Sequence, residues 1–202
     1  MGYRRLKWKL KRLIYADEIK EFSKIFAKQI GYEIPWTYFY GEDVWVVVEK
    51  GKMLGGFAVI SKKVPRCLVQ IPAYSYHTMD DIVLIKDKYV KVKHIGELTG
   101  FFIRTKRFRL LITFWYFVRS FLKRKKYFLL AYPVEQKGLS KYYASADPFR
   151  LYSGPSVQLE GQPEDMEEES VEAITKLGVF KIVWYGFRKS TLKRFINKFK
   201  KV

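Results

Sequence analysis

Two groups of side chains in this sequence could take part in chemistry, and the first is a pair of adjacent tyrosines. The stretch KYFLLAYPVEQKGLSKYYASADPF, residues 126–149, runs from an apolar strand through one glycine into a short amphipathic segment that contains Tyr142 and Tyr143. A phenol can act as a general acid where the site is dry and the geometry is right. Because the chain has 15 tyrosines, simple packing is the competing interpretation of the pair.

The second group is a run of cations. The sequence RTKRFR, residues 104–109, carries Arg104, Lys106, Arg107 and Arg109 between a predicted strand and a predicted helix. Backbone amides at the start of a helix can face a diphosphate, and cationic side chains bind phosphate through charge-assisted hydrogen bonds. A run of charges is also a common solvated surface, so both interpretations stay open.

Other signatures of catalysis or targeting are absent from the sequence. There is no Walker loop, GxSxG elbow or HExxH motif, and His77 and His94 are too few and too far apart to predict a metal site. The only cysteine, Cys67, excludes an intramolecular disulfide, predicts a reducing, cytoplasmic compartment and is expected to be buried. The longest apolar run, LLITFWYFV, is too short to span a bilayer, so no transmembrane helix is expected.

The first half of the chain predicts a strand, a helix and a hairpin. Residues 3–14 alternate apolar and basic side chains, as a half-buried strand does, whereas residues 17–30 have a helical period with Gly31 just beyond it. The segment EDVWVVVEKGKMLGGFAVISKK predicts two strands around a turn at residues 50–52. A glycine pair at residues 55–56 predicts a bulge or a close approach inside the second strand.

The second half alternates strands with helices. YVKVKHIGELTGFFI predicts one strand, the apolar positions from Leu110 to Leu122 predict a helix, KYFLLAYPV predicts a strand, and EQKGLSKYYASA predicts a short helix. Residues 160–172 are strongly acidic and predict a mobile loop or a helix start. VFKIVWYGF then predicts a last strand, and KSTLKRFINKFKK predicts a basic amphipathic helix. This order implies a parallel crossover attached to an antiparallel meander.

The order of elements resembles that of the GNAT superfamily of N-acyltransferases, over roughly residues 1–155. In that family the fourth strand leads into a loop that holds the pyrophosphate of coenzyme A, and the fifth strand splays away from the fourth. The resemblance implies an α/β (α+β) fold with a mixed, mostly antiparallel sheet, a parallel crossover at the splayed central strands, and helices on both faces. We expect a GNAT-like domain at 1–155, an acidic loop at 156–172, and a C-terminal strand and basic amphipathic helix at 173–202 packed on the same domain.

The resemblance also implies two catalytic residues. The family often carries a pattern like N-x-x-A-x-x-L-Y after the fifth strand, and here its positions fall on Gln136, Leu139, Tyr142 and Tyr143. Tyr143 would then protonate a leaving thiolate. Glu97, in HIGELTGFFI, stands where many members keep a carboxylate that accepts the amine proton, often through water. As an ordinary strand residue, Glu97 would instead be a surface carboxylate that faces solvent.

The implied cofactor is acetyl-coenzyme A or a longer acyl-coenzyme A, and no metal is expected. Amides near residues 98–100 would polarise the thioester carbonyl. The family's phosphate loop contains glycine, whereas residues 104–109 contain none and have bulky side chains at the glycine positions. GELTGFFI and its basic sequel also resemble autoinducer-synthase-type acyltransferases, which tolerate a degenerate loop and use acyl chains on carrier proteins or coenzyme A. The implied cofactor-binding residues are Leu98, Thr99, Gly100, Phe102, Arg104, Lys106, Arg107, Arg109 and Gln136.

A net charge of +19 on 202 residues implies an anionic partner. Coenzyme A would neutralise only part of this positive charge, which leaves the cations of residues 4–12, 119–126 and 188–201 without an anionic partner to explain them. An acidic acyl carrier protein or an anionic membrane surface would complement them, and the C-terminal helix has the composition of a membrane-surface segment. The protein would then be cytoplasmic, either free or peripheral at the membrane.

A function of another class stays open on the sequence. RRLKWKLKR and KYFLLAYPV interleave cations with aromatic rings, which could contact phosphates and stack on bases in a non-catalytic nucleic-acid-binding protein. Most aromatic residues, however, occupy apolar-face positions. The resemblance to the GNAT superfamily therefore favours an N-acyltransferase that moves an acyl group from a coenzyme A or carrier-protein thioester to an amine.

Overall fold

The structure is a computed structural model that describes residues 8–135, 140–141, 143–162 and 168–199, with the backbone alone at 187 and 189–199. In chain order its strands and helices are β1 (Trp8–Leu13), α1 (Ala16–Ile30), α2 (Trp36–Phe39), β2 (Asp43–Glu49), β3 (Lys52–Ile60), α3 (Arg66–Val69), β4 (Ile82–Ile85), β5 (Lys88–Lys91), β6 (Ile95–Ile103), α4 (Arg109–Leu122), β7 (Tyr127–Pro133), β8 (Phe149–Gly154), β9 (Glu169–Thr175) and α5 (Lys176–Phe199).

Seven of these strands form one mixed sheet in the order β1-β2-β3-β6-β7-β9-β8. Every neighbouring pair is antiparallel except β6 and β7, which are parallel and are joined through α4. β4 and β5 form a separate hairpin. The expected fold, a mostly antiparallel mixed sheet with one parallel crossover, is confirmed. No helix in the described part of the chain is both long enough and apolar enough to cross a membrane.

Helices cover both faces of the sheet. On one face α1 buries Ile19, Phe22 and Phe26 against β2 and β3, as its apolar positions three and four residues apart require. On the other face α4 lies so close to β3 that a Cβ at Gly55 would come 2.3 Å from Ile112 Cδ1. The predicted close approach at the glycine pair is therefore confirmed, and α4 is the element that approaches.

The buried side of α4 differs from the apolar stripe that the sequence suggests. Ile112 and Ser120 are buried, whereas Phe114, Phe121 and Leu122 are at least half exposed. The helix carries apolar or aromatic residues on most of its circumference, so its hydrophobic period does not single out one face. An apolar surface is left on the outside of α4 as a result.

Two other predictions of secondary structure need correction. The predicted strand YVKVKHIGELTGFFI is β5, a 3-10 turn at Val92–His94 and β6. VFKIVWYGF is not a strand but part of α5, where Val179 and Ile182, three residues apart, pack into the core. A short apolar run fits either a buried strand or a buried helix, so its composition did not decide between them. The first strand is described only from Trp8.

The acidic segment is only partly a loop. Its last residues belong to β9, where Glu169, Ser170 and Glu172 are at most 4% exposed. Residues 163–167 lie outside the described part of the chain. Pairing with β7 and β8 on both sides brings the end of the acidic run into the sheet.

An ion cluster ties α4 to the first strands of the sheet. The carboxylate of Asp43, on β2, is fully buried and lies 2.8 Å from Arg119, 3.2 Å from Lys123 and 3.3 Å from Arg12. Burial alone would raise the pKa of Asp43, but the hydrogen bond from Arg119 and the charge of Lys123 hold it below its ordinary value. The cluster fixes the C-terminal half of α4 and, with it, the return of the chain into β7.

Candidate active site

A gap opens in the middle of the sheet where β6 and β7 separate. Within the described strands their parallel pairing covers three residue pairs and ends at Glu97 and Leu129. Beyond this point β6 continues along β3 to Ile103, while β7 continues along β9. The edge of β6 from Leu98 onward therefore faces the opening, which we call the β6–β7 gap.

A bulge lies on the β6 edge of this gap. Between Thr99 and Phe102, β6 has two residues opposite one residue of β3. Gly100 adopts a φ of +65°, and a Cβ on it would lie 2.7 Å from the ring of Phe22. A bulge turns backbone groups out of the ladder, and this one begins directly after Thr99, beside the predicted carbonyl-binding amides near Leu98 to Gly100. The side chain of Phe102 is buried against Phe22, so it is not available to such a ligand.

Two tyrosines lie on the α4 side of the gap. The hydroxyl of Tyr116 donates a hydrogen bond of 3.3 Å to the carbonyl oxygen of Thr99, and the ring of Tyr143 packs 5.4 Å from that of Tyr132. Burial raises the pKa of Tyr116 well above its ordinary value, and the nearby Tyr143 raises it further. The sequence interpretation missed Tyr116, although its position one helical turn after the buried Ile112 was a signal that could have found it.

Glu97 lies on the opposite face of the sheet, where the gap begins. Its strand partner Ile60 belongs to the core beneath α1. The Glu97 side chain is 5% exposed, and its Oε2 accepts hydrogen bonds from the Tyr38 hydroxyl at 2.7 Å and from the backbone amide of Cys67 at 3.2 Å. Burial raises the pKa of Glu97 above its ordinary value, against the lowering effect of these hydrogen bonds. The solvent-facing alternative is therefore wrong.

Tyr38 and α3 hold the Glu97 carboxylate in position. The Tyr38 hydroxyl accepts a hydrogen bond of 2.7 Å from the backbone amide of Arg66 while it donates to Glu97. Burial, followed by the neighbouring charge of Glu97, raises the pKa of Tyr38 well above its ordinary value. Cys67 is buried, as expected. Tyr38 comes from an irregular aromatic stretch, and nothing in its spacing indicated a contact with a strand 59 residues later.

The predicted phosphate loop leads from the end of β6 into α4. The four cations Arg104, Lys106, Arg107 and Arg109 are all exposed. α4 begins without a side-chain cap at its N-terminus, so its first amides have no side-chain partner there. Between Arg107 and Arg109, which stand at the glycine positions of the family's loop, Phe108 is buried against Trp8, with ring centroids 5.4 Å apart.

The structure brings the two predicted catalytic residues to one gap from opposite faces of the sheet. Tyr143 and Glu97 both raise the pKa of Tyr116, so Tyr116 lies within electrostatic range of each of them. Gln136, Leu139 and Tyr142 lie outside the described residues. In the described part of the chain, no three His, Cys, Asp or Glu side chains converge as a metal site would require.

Comparison with known proteins finds similarity in three dimensions alone. No protein-family model and no curated protein sequence matches the chain. FeeM, an N-acyl amino acid synthase from uncultured soil microbes, aligns with a TM-score of 0.51 and 9% identity over 84% of this chain and 91% of FeeM. The AHL synthase LasI aligns with a TM-score of 0.51 and 14% identity over 84% of this chain and 89% of LasI.

A third similar structure was solved with its cofactor. It is yncA from Salmonella typhimurium, which contains acetyl-coenzyme A and aligns with a TM-score of 0.51 and 7% identity, over 85% of this chain and 95% of yncA. The chain has the GNAT fold.

The nucleic-acid interpretation rests on two segments, and burial of the aromatic rings removes its basis in one of them. In KYFLLAYPV the rings of Phe128 and Tyr132 are 0% and 3% exposed, so they offer no stacking surface. In the other segment, Trp8 packs on Phe108. These aromatic rings are part of the core.

Proposed function

We propose that this protein is an N-acyltransferase that moves an acyl group from a coenzyme A or carrier-protein thioester to an amine. The observation that carries the proposal is the β6–β7 gap, with a buried carboxylate on one face of the sheet and phenols on the other. A thioester supplies an electrophilic carbonyl carbon and a thiolate leaving group. In the gap, the unpaired edge of β6 would bind the carbonyl group. The amine would approach from one face of the sheet, and the thiol would leave on the other.

In the proposed step the amine nitrogen bonds to the carbonyl carbon and the carbon–sulfur bond breaks. Glu97 takes the proton that the amine loses, directly or through water, since its raised pKa makes it a better base than an exposed glutamate. Tyr143 gives a proton to the thiolate and regains one from solvent. The amides near Leu98 to Gly100 donate hydrogen bonds to the carbonyl oxygen as its negative charge grows.

The cations of the loop fit a diphosphate. Four exposed cations lie at the N-terminus of α4, where the helix dipole favours negative charge: Arg104, Lys106, Arg107 and Arg109. Cations alone are poorly placed at a helix N-terminus, so an anion bound among them would relieve an unfavourable arrangement. Arg107 is the exception, because its guanidinium already pairs with Glu49. We propose that the other three and the free amides hold the pyrophosphate without a glycine loop.

Thermal stabilisation tests the donor directly. Acetyl-coenzyme A and a long-chain acyl-coenzyme A are compared with ATP and heparin, which control for simple polyanion binding. We expect one thioester to raise the melting temperature more than either control, and Arg104→Gln to reduce that shift. An equal shift with heparin, or none with either thioester, would contradict coenzyme A as the donor carrier and would leave a carrier-protein thioester to be tested.

We propose a second, anionic partner for the charge that coenzyme A does not neutralise. A cavity of about 600 Å³ at the start of β7 is lined by four lysines and five other residues: Lys88, Tyr89, Val90, Lys125, Lys126, Tyr127, Thr175, Lys176 and Leu177. Beside it, α4 and α5 expose Phe121, Phe180 and Trp184. Cations next to exposed aromatic rings suit an anionic membrane surface, and the cations alone suit an acidic acyl carrier protein.

Vesicle binding separates these two partners. A membrane partner predicts binding to anionic but not neutral vesicles that weakens in the Trp184→Ser variant. Binding to carrier protein that vanishes at about 0.5 M salt, where screening is strong, and is insensitive to Trp184→Ser would favour the carrier. We propose a cytoplasmic location in either case, as the single cysteine of the sequence suggests.

A further inference from the structure

A second polar cluster lies beyond Glu97 on the same side of the molecule. It consists of Tyr32 after α1, Arg66 of α3, Gln162 after β8 and Glu169 at the start of β9. The charges of Glu97 and Arg66 both shift the pKa of Glu169. The charges of Glu169 and Arg66 both shift the pKa of Tyr32, and so does Gln162. The four residues therefore lie near one another and near Glu97. We call these four residues the acceptor-face cluster.

Three atoms of the acceptor-face cluster are buried without a hydrogen-bond partner. They are Glu169 Oε2, Arg66 Nε and Gln162 Nε2. Glu169 is 3% exposed and Gln162 is 7% exposed, so solvent does not replace the missing partners. A buried polar group without a partner costs about 1–3 kcal/mol. The unpaired set contains one acceptor and two donors.

Arg66 and Glu169 do not satisfy each other. None of the ion pairs among the described residues joins them, although the charge of Arg66 lowers the pKa of Glu169. Burial and the charge of Glu97 raise the pKa of Glu169 to about 7, against the lowering effect of Arg66. Burial, together with Glu169, raises the pKa of Tyr32 to about 12. Glu169 Oε2 and Arg66 Nε therefore each keep a buried hydrogen-bonding position that the described residues do not fill.

The chain segment after β8 closes over the cluster. The amide of Glu33 bonds to Gly161 O at 3.0 Å, the amide of Val157 bonds to Gln70 O at 2.8 Å, and Arg66 Nη2 donates to Glu160 O at 2.7 Å. These contacts fasten residues 155–162 to the end of α1 and to α3. Gln162 is thereby held close to Tyr32, and it lowers the pKa of that tyrosine against the larger, raising effect of burial.

We propose that the acceptor-face cluster binds the acceptor substrate and that this acceptor is an amino acid. Its ammonium group would donate to the carboxylates of Glu169 and Glu97, and its carboxylate would accept hydrogen bonds from Arg66 Nε and Gln162 Nε2. A simple amine would satisfy the carboxylates but leave both donors buried and unpaired. The inference rests on the proposed acyl transfer: the bound ammonium first gives one proton to Glu97, which passes it to solvent, and the resulting amine attacks the carbonyl carbon and loses its second proton to the same carboxylate.

The test compares amino acids with amines that lack the carboxylate. Thiol release from the thioester is measured with phenylalanine, phenylalaninamide and phenethylamine, with lysine and cadaverine, and with pools of the other amino acids. We expect thiol release to be at least tenfold faster with one or more amino acids than with the matched amide or amine. A missing charge-assisted hydrogen bond, worth about 1.5–3 kcal/mol, would cause a difference of this size. Equal use of phenethylamine or cadaverine would overturn the inference and leave the proposed acyl transfer intact.

Variants assign this preference to Arg66. Arg66→Gln should raise the KM for the amino acid about tenfold or more, with the thermal shift produced by the acyl-coenzyme A unchanged, and Arg66→Lys should recover part of the loss. The matched control is Arg124→Gln, which removes an exposed arginine at the end of α4. If no acceptor releases thiol, the proposed function fails. Stabilisation by the amino-acid pools without donor then decides the inference: a shift lost in Arg66→Gln supports it, and no shift refutes it.

Discussion

Gly100→Ala tests whether the bulge on β6 depends on a residue without a side chain. Gly100 has a φ of +65°, where an L-residue costs about 1–2 kcal/mol. The new Cβ would also lie 2.7 Å from Cζ of Phe22, 3.1 Å from its Cε1 and 3.3 Å from Ala58 Cβ. Overpacking of this kind costs about 1–3 kcal/mol in a core. We therefore expect a loss of about 2–5 kcal/mol in the free energy of unfolding.

The matched control is Gly51→Ala in the turn between β2 and β3. Gly51 has a φ of +76°, but nothing lies within 4 Å of the position of its Cβ. It should cost only the backbone part, about 1–2 kcal/mol. Urea denaturation gives both values from the midpoint and the m-value. Combination of Gly100→Ala with Phe22→Leu should be less destabilising than the sum of the two, because the smaller side chain removes the clash.

Equal losses in Gly100→Ala and Gly51→Ala would refute the packing argument. Additive effects of Gly100→Ala and Phe22→Leu would do the same. If Gly100→Ala is folded, its acyl transfer should fall more than its binding of acyl-coenzyme A, since the altered bulge displaces the amides assigned to the carbonyl oxygen.

Three further predictions concern buried charges and phenols. Asp43→Asn leaves Arg119 and Lys123 without their carboxylate and should cost about 3–5 kcal/mol in urea denaturation at pH 7. Because the folded-state pKa of Asp43 is lowered, the wild type should lose this contribution as the pH falls below about 4, whereas the variant should not. The pKa of Glu169 is shifted in the opposite direction, from 4.5 to about 7, so the wild type should lose stability as the pH rises from about 4.5 to about 7. Glu169→Gln should therefore be more stable than the wild type at pH 8 by about 1–3 kcal/mol and nearly equal to it at about pH 4; an identical pH dependence of the two proteins would contradict the burial of an unpaired carboxylate. Tyr143→Phe should slow thiol release by about 10²-fold or more, whereas Tyr116→Phe should slow it less; the reverse order would assign the proton to Tyr116.

The sequence predicted the elements whose local pattern is unambiguous. α1 has an acidic first turn and a clean 3.6-residue period, and its bounds agree with the prediction to within one residue. The β2–β3 hairpin and β7 are equally clear in their composition. α4 and the start of α5 were harder, because residues that are apolar on most sides do not show which side is buried, or whether a short run is strand or helix.

The candidate site was predictable only in part, because most of it comes from contacts between distant segments. The resemblance in element order placed Glu97 and Tyr143 on either side of splayed strands, and their catalytic roles remain predictions. The burial of Glu97 beneath Tyr38 and α3 depends on contacts 59 and 30 residues apart in the chain. The same holds for Glu169 and Arg66, whose residue types alone are those of ordinary surface charges.

The most direct test of acyl transfer in the β6–β7 gap is thiol release from the stabilising thioester, with an amine acceptor, in the wild type and in Glu97→Gln and Tyr143→Phe. We expect acceptor-dependent turnover in the wild type and a loss of about 10²-fold or more in each variant, with the thermal shift from the thioester retained. If both variants turned over at the wild-type rate, neither residue would transfer the proton and the proposed mechanism would be wrong.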